Sequence, residues 1–218
     1  RVRMEFIVEP AIFERFPGLR LSVAVAYGLD NGTARQEITT AWRAAWDAAA
    51  AHVAPYPNPQ SHPHIVPWRE RFKAMGISVK EFRSSAEALL RRAAKGGEPF
   101  TINPLVDFYN AISLRHVAPA GAFDLAELAG PLELRLSRQG DWFTPLENPD
   151  AGEPVPPGEV SYANGTTILT RHFVWRQSKT AAITPASRDV FLVAEVLAEL
   201  GEQVAVAICD DFRSGLEH

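Results

Sequence analysis

The stretch from Asn103 to Asp124, NPLVDFYNAISLRHVAPAGAFD, decides how the fold is interpreted. Asparagine followed by proline is typical of a helix start, because the asparagine side chain caps a free backbone amide and proline fits the first turn. We therefore predict a helix from Asn103 to about Arg115. Asn103, Asp107 and Asn110 are spaced at i, i+4 and i+7, so they share one helix face. The apolar residues of the helix share another face: Leu105, Phe108 and Ile112.

The polar stripe formed by Asn103, Asp107 and Asn110 allows two interpretations. It can be a solvated helix face with an N-terminal cap, which is what periodicity alone favours. It can also line a polar pocket in which amide and carboxylate groups bind a ligand. The pattern by itself leaves both interpretations open.

The rest of the chain predicts an α+β protein. Capping signals and helical periodicity predict further helices at Arg35–Val53, at Val66–Met75, after Ser84 or Ser85, and at Ser187–Leu200. Alternating or β-rich segments predict strands at Met4–Val8, Leu19–Tyr27, Leu132–Leu136, Trp142–Pro145, Val160–Tyr162, Thr166–Arg171 and Val204–Cys209. Proline-rich segments at 55–67 and 147–157 predict surface loops. We expect one domain over residues 1–215, with residues 216–218 as the remnant of an expression tag.

The composition limits the class of function. A chain of 218 residues with 46% apolar residues can bury an ordinary globular core. The net charge of −4 lacks the basic excess of an autonomous nucleic-acid binder, so any RNA contact has to be local or weak, and no DNA partner is expected. The apolar stretches are shorter than the roughly 20 residues that cross a bilayer. We expect a cytoplasmic protein without a membrane partner.

Metal and thiol chemistry have little support in the sequence. Cys209 is the only cysteine, which excludes an intramolecular disulfide and thiolate metal sites. His62 and His64 lie in a proline-rich loop, without a third ligand at a recognisable spacing. No phosphate-binding glycine loop or nucleophile motif occurs. We expect neither a metal nor a cofactor, and an enzyme of this sequence would act by positioning water.

The segment 170–179 concentrates cations and aromatic residues after a predicted strand. Its arginines could hold a carboxylate or phosphate, and its tryptophan could stack on a base; the residues concerned are Arg171, Trp175, Arg176 and Lys179. A charged edge strand is the alternative interpretation. Glu159 follows a Pro-Pro-Gly turn, where its carboxylate could act as a general base, hold an ammonium group or simply be solvated.

A basic edge is predicted on the helix that begins at Ser84 or Ser85. Arg83, Arg91, Arg92 and Lys95 could contact an RNA phosphate backbone. Cations in a last helical turn also suit the helix dipole, so a solvated helix end is the alternative.

Two blocks of sequence resemble the B3/B4 domain, the editing and tRNA-binding module of the phenylalanyl-tRNA synthetase beta subunit. The first runs from Val106 to Asp124, with Val-Asp, an asparagine three residues on, and a closing Ala-Phe-Asp. The second runs from Gly158 through Arg171 to Leu192. Free-standing members of the family are most similar, through Asn103–Asp107, Tyr109–Leu114, Pro157–Glu159 and Arg171–Gln177. The resemblance covers about residues 68–195.

The resemblance implies a three-layer α+β fold with a sandwich-like sheet flanked by helices. It also implies a pocket of the kind in which the synthetase module hydrolyses tyrosine wrongly attached to its tRNA. Two family residues are not reproduced. Gly121 stands where the editing histidine is expected, and Lys179 stands near the position of the editing glutamate.

Two hypotheses of function follow from the resemblance. The first is a trans-acting hydrolase that deacylates a mischarged aminoacyl-tRNA, with Asn110, Asp107 and Arg176 as catalytic residues. In this hypothesis Asp107 or Glu159 binds the amino group and Trp175 contacts the terminal adenosine; Asn103, Gly121, Arg171 and Lys179 complete the substrate-binding set. The second hypothesis is a non-catalytic module that binds a free amino acid or tRNA, which the two replaced family residues favour. Protein partners are not predicted.

Overall fold

The computed structural model describes residues 3–217 and confirms the α+β class. It contains six α-helices and eleven strands within that range. None of the helices in this range combines the length and the apolar character that crossing a bilayer would need.

The helices and strands have the following bounds. The helices are α1 (Pro10–Arg15), α2 (Gln36–Val53), α3 (Val66–Ala74), α4 (Ser85–Ala94), α5 (Pro104–His116) and α6 (Glu202–Leu216). The first six strands are β1 (Phe6–Val8), β2 (Arg20–Ala26), β3 (Ala120–Asp124), β4 (Leu132–Leu136), β5 (Trp142–Phe143) and β6 (Glu153–Pro154). The others are β7 (Val160–Asn164), β8 (Thr167–Ile168), β9 (Thr170–Arg171), β10 (Arg176–Gln177) and β11 (Val190–Val196).

The chain divides into two compact units. Unit 1 comprises Arg1–Gly18 and Asp124–Ala182, and unit 2 comprises Leu19–Phe123 and Ile183–His218. The first two residues and His218 lie outside the described range. The single domain over residues 1–215 and the tag remnant stay predictions.

Unit 1 is mainly sheet. Its six strands lie in the order β1-β4-β7-β8-β5-β6, and β9 pairs with β10 in a separate hairpin. A small apolar cluster sits in the sheet: Phe143, Val155, Ala163 and Ile168. Arg135 and Asp141, both buried, join through two hydrogen bonds of 2.7 and 3.1 Å and so hold the turn that follows β4.

Unit 2 combines a three-stranded sheet, in the order β2-β11-β3, with five helices. Strands β2 and β11 are antiparallel over seven residue pairs. The main helical core lies along the apolar faces of α2, α4 and α5, with Trp42, Trp46, Leu90 and Leu114 among its buried residues. The predicted helices from Arg35, Val66, Ser84 and Asn103 are confirmed, with bounds that differ by one or two residues.

Two predictions for the C-terminal region are wrong. The predicted helix Ser187–Leu200 contains strand β11, and the predicted strand Val204–Cys209 lies inside α6. All seven residues of β11 are buried; six are apolar and one, Glu195, is charged. Such a mostly apolar run suits a strand covered on both faces as well as it suits a helix. In α6 the buried residues recur at helical spacing, at Ala205, Ile208 and Phe212.

Candidate functional site

The N-terminus of α5 is closed by two asparagines. Asn103 Oδ1 accepts the amide N–H of Val106 at 3.0 Å, which confirms the predicted cap. Asn31 Oδ1 accepts the amide N–H of Leu105 at 2.7 Å, and Asn31 Nδ2 donates to Asn103 Oδ1 at 3.0 Å. Both side chains are buried. Because two amides of the first turn are already satisfied, this helix end is not an open anion site.

Asp107 lies one turn further along α5 and is 8% exposed. Its Oδ1 accepts the amide N–H of Ile102 at 3.1 Å. Within residues 3–217, no cation forms an ion pair with this carboxylate. Burial raises the pKa of the Asp107 carboxyl above its ordinary value, against the opposing effect of the Ile102 hydrogen bond. Burial, with a smaller effect from Asp107, also raises the pKa of Tyr109 to about 12.

Asn110 completes the polar stripe and is half-buried. Its side-chain amide makes no hydrogen bond to any residue that the structure describes. A buried cap, a buried carboxylate without a counter-ion and a half-buried free amide therefore follow one another along α5. The stripe is not a solvated helix face, and Asp107 and Asn110 keep hydrogen-bonding capacity for a ligand.

In unit 1, Glu159 and Arg171 form a closed charge cluster. The two side chains make a bidentate pair, with Nε to Oε2 at 2.7 Å and Nη2 to Oε1 at 3.0 Å. Arg171 Nη1 also donates to Glu153 at 2.5 Å, and the amide N–H of His172 donates to Glu159 Oε2 at 3.1 Å. The guanidinium thus already faces two carboxylates, so an anion would have to displace one of them.

The turn between β9 and β10 has an unusual backbone. His172 and Phe173 both have positive φ, at 45° and 64°, where side chains other than glycine are disfavoured. Phe173 is buried, and its ring packs against that of Phe16 at 5.2 Å between centroids. Burial lowers the pKa of His172, with Glu159 acting in the opposite direction. The contacts of this turn hold its two residues in a costly conformation.

The remaining predicted residues of the segment 170–179 are more exposed. The Arg176 guanidinium lies 5.4 Å from the centre of the Trp175 ring and pairs with Glu147 at 2.9 Å. Lys179 is exposed, and its backbone N–H donates to Thr144 at 2.9 Å. Gly121 lies in β3 of unit 2, with nothing within 4 Å of the position a Cβ would take.

The basic edge of α4 is built around a buried glutamate. Arg83 and Arg91 approach Glu87, which is 1% exposed and paired with Arg69. Arg92 lies 4.1 Å from the centre of the Phe100 ring, and the exposed Lys95 ends the helix.

The predicted residues are distributed over both units. Asn103, Asp107, Asn110 and Gly121 belong to unit 2, together with the basic edge, whereas Glu159, Arg171, Trp175, Arg176 and Lys179 belong to unit 1. The described residues contain no cluster of three or more His, Cys, Asp or Glu side chains arranged for a metal.

Sequence reasoning missed Asn31, Arg69 and Glu87. Asn31 lies in a Gly-Leu-Asp-Asn-Gly turn, which gives no signal that it caps a helix far along the chain. Glu87 had a recognisable signal. It stands three residues after Ser84, in the Ser-x-x-Glu pattern of a capped helix start, and Ser84 Oγ accepts its amide N–H at 3.2 Å.

An apolar cavity of about 590 Å³ also opens in unit 2. Residues of α2, α5 and α6 line it, including Ile38, Phe108 and Ile112. None of the residues predicted for the site lines this cavity. We place the candidate site at the polar stripe because recognition of an amino-acid ligand needs polar groups, which the stripe supplies.

The model of the B3/4 domain family matches residues 67–207. The chain belongs to the B3/4 domain family. The match covers the polar stripe, the charge cluster and the basic edge, whereas Asn31 lies before it. No curated protein matches the chain.

One similar solved structure is a crystal structure of an N-terminal fragment of the phenylalanyl-tRNA synthetase beta subunit from Pyrococcus horikoshii. The TM-score is 0.46 and the sequence identity is 9%. The alignment covers 97% of this chain and 49% of that one. The chain thus spans about half the length of the synthetase fragment.

Proposed function

We propose that this B3/4 domain is a trans-acting hydrolase that removes the amino acid from a mischarged aminoacyl-tRNA. The observation that carries the proposal is the state of Asp107. It is a nearly buried carboxylate that receives one backbone hydrogen bond and, within residues 3–217, no ion pair. A desolvated charge without a partner is costly, so such groups are typical of sites that bind a cation.

The ammonium group of an aminoacyl ester fits this carboxylate. An aminoacyl-tRNA carries a free α-amino group next to the ester carbonyl, so a group that holds the ammonium also fixes the position of the scissile bond. Asn110 lies three residues further along α5, so the two side chains are neighbours on one helix face. Its free amide can donate to the ester carbonyl oxygen, where negative charge develops during attack by water.

The alternative is a module that binds a free amino acid or tRNA without hydrolysing it. Gly121 stands where the family resemblance expects the editing histidine and brings no functional group. Arg171 is already neutralised by two carboxylates. Both observations favour binding without chemistry, at the same Asp107 and Asn110.

A deacylation screen separates the two functions. The purified protein is incubated with a panel of correctly and wrongly charged tRNAs, and release of the labelled amino acid is followed. We expect release from at least one mischarged pair, and about a hundredfold lower kcat/KM in Asp107→Asn and in Asn110→Ala, because each removes one preorganised contact to the reacting ester.

Matched controls come from the exposed segment of unit 1. Asp150→Asn and Asn148→Ala make the same chemical changes at exposed positions and should leave the rate unchanged. No release from any pair, with saturable amino-acid binding that is lost in Asp107→Asn, would establish the binding module. Release at the native rate in Asp107→Asn would remove the polar stripe from the mechanism.

A further inference from the structure

Positive charge is concentrated in one segment of an otherwise acidic chain. Residues 66–98 contain eight Lys and Arg against four Glu, which gives a net charge of +4, whereas the whole chain has −4. The remaining residues therefore carry −8. The segment comprises α3, α4 and the turns that flank them.

Three arginines of this segment converge on one buried carboxylate. Arg69 makes a bidentate pair with Glu87, with both nitrogen–oxygen distances at 2.7 Å. Arg83 Nε lies 3.4 Å and Arg91 Nη1 lies 4.0 Å from Glu87 Oε2. The nitrogens of Arg83 and Arg91 are therefore at most 7.4 Å apart, the sum of those two distances. One carboxylate brings three guanidinium groups together.

Neutralising Glu87 needs only one of these arginines. Arg69 supplies the matched bidentate geometry, so the charges of Arg83 and Arg91 are in excess. Their side chains are 41% and 32% exposed. Arg83 Nε is buried, and within residues 3–217 it has no hydrogen-bond acceptor. The three arginines share the single negative charge of Glu87, so the cluster carries a net positive charge that attracts a further anion.

Arg91 is held in place by a further contact besides Glu87. Arg91 Nη1 donates to Gln60 Oε1 at 2.8 Å, which ties it to the proline-rich loop. Glu87, Arg91 and Lys95 are spaced four residues apart, so they lie along one side of α4, and Arg83 precedes the N-terminal cap Ser84. At 1.5 Å per helical residue, Lys95 lies about 6 Å along the helix axis from Arg91. Several cations distributed along a surface suit a linear polyanion better than a single small anion.

We propose that Arg83, Arg91 and Lys95 form a docking site for the phosphate backbone of RNA, with Arg69 and Glu87 as positioning residues. The RNA runs along α4 and places one phosphate between Arg83 and Arg91. Base identity is not read at this site, because guanidinium and ammonium groups here meet phosphates alone. That the bound RNA is an aminoacylated tRNA rests on the proposed function; the docking site itself does not.

The test measures binding of a fluorescein-labelled 20-nucleotide oligouridylate, and of uncharged bulk tRNA, by fluorescence anisotropy between 50 and 250 mM salt. Removing two phosphate contacts from a single strand lowers the slope of log K against log salt by about 1.4. Arg83→Gln with Arg91→Gln should show that change and about tenfold weaker binding at low salt. The control, Arg20→Gln with Arg213→Gln, changes two exposed arginines outside the segment and should bind as the native protein does.

A second variant keeps the test decisive if the double substitution unfolds the protein. Lys95→Gln changes only the exposed cation of the docking site and should also weaken binding and lower the slope, by about 0.7. Three results would overturn the proposal: native-like RNA binding by both variants of the docking site, an equal loss of affinity in the control variant, or no binding by the native protein at low salt. RNA binding without any deacylation would support the docking site and contradict the proposed hydrolase activity.

Discussion

Glu159 in unit 1 and Asp107 in unit 2 are two largely buried carboxylates in opposite surroundings. The Glu159 side chain is 9% exposed and receives two hydrogen bonds from Arg171 and one from the amide of His172. Asp107 is 8% exposed and receives a single backbone hydrogen bond. The sequence offered both as partners for an amino group. The difference shows that burial alone does not identify a ligand-binding carboxylate. The absence of a cationic partner is the more informative feature.

The largest effect is expected from Glu159→Ala. Removing one partner of a buried ion pair leaves Arg171 with only the exposed Glu153, so we expect a loss of about 3–5 kcal/mol in the free energy of unfolding. Urea denaturation measures it. The matched control is Glu147→Ala, whose 65% exposed carboxylate pairs with a half-exposed arginine and should cost about 1 kcal/mol or less. Equal losses in the two variants would contradict the closed cluster.

A smaller effect on the free energy of unfolding is expected from His62, an ionisable group that burial keeps neutral. It is 8% exposed, and its Nδ1 accepts the amide N–H of His64 at 3.0 Å. Burial, then the charges of His64 and His52, lower the pKa of His62 to about 4 from the ordinary 6.5. Between pH 6.5 and about pH 4, His62 therefore binds a proton in the unfolded chain and stays neutral in the folded chain.

Stability should accordingly fall by up to about 3 kcal/mol as the pH is lowered through that window. His62→Gln should flatten this part of the pH profile of the unfolding free energy and leave the difference between pH 7 and pH 8 unchanged. An unaltered profile in the variant would mean that His62 titrates in the folded protein as it does in the unfolded chain.

The smallest effect, and the sharpest contrast with Glu159, is expected from Asp107→Asn. The amide oxygen can still accept the Ile102 N–H, and the uncompensated charge is gone. We expect an unfolding free energy equal to or slightly above that of the native protein, in the same urea experiment. A loss of 3 kcal/mol or more would show that Asp107 has a stabilising partner, and would break the comparison.

Local signals in the sequence predicted α5 well. The Asn103-Pro104 start, the amphipathic spacing and the polar stripe all follow from interactions within one or two helical turns. The structure places the cap where the sequence predicted it. What local signals could not supply is the burial of Asp107, because that depends on elements packed around the helix.

The two wrong predictions near the C-terminus, a helix in place of β11 and a strand inside α6, have a local cause. Val204–Cys209 is too short a window to show that the next apolar contact is at Phe212, which reveals the helical period of α6. Strand β11 has one polar residue, Glu195, and all seven of its residues are buried, so it lacks the alternation of polar and apolar residues that predicts a strand.

The candidate site was predictable only in part. Spacing identified Asp107 and Asn110, and composition identified the cations of the segment 170–179. Neither spacing nor composition could reveal that Glu159 and Glu153 already form ion pairs with Arg171, because these partners lie 12 and 18 residues away along the chain. Ion pairing of this kind is a property of the folded sheet.

The double cap of α5 also bears on the order in which the chain folds. The amide of Leu105 is satisfied by Asn31, 74 residues earlier. The first turn of α5 therefore cannot be completed as a local event, since it waits for a long loop to close. Contacts of such high sequence separation slow folding. Asp107 and Asn110, which carry the proposed chemistry, thus follow a helix start whose capping contact forms late in folding.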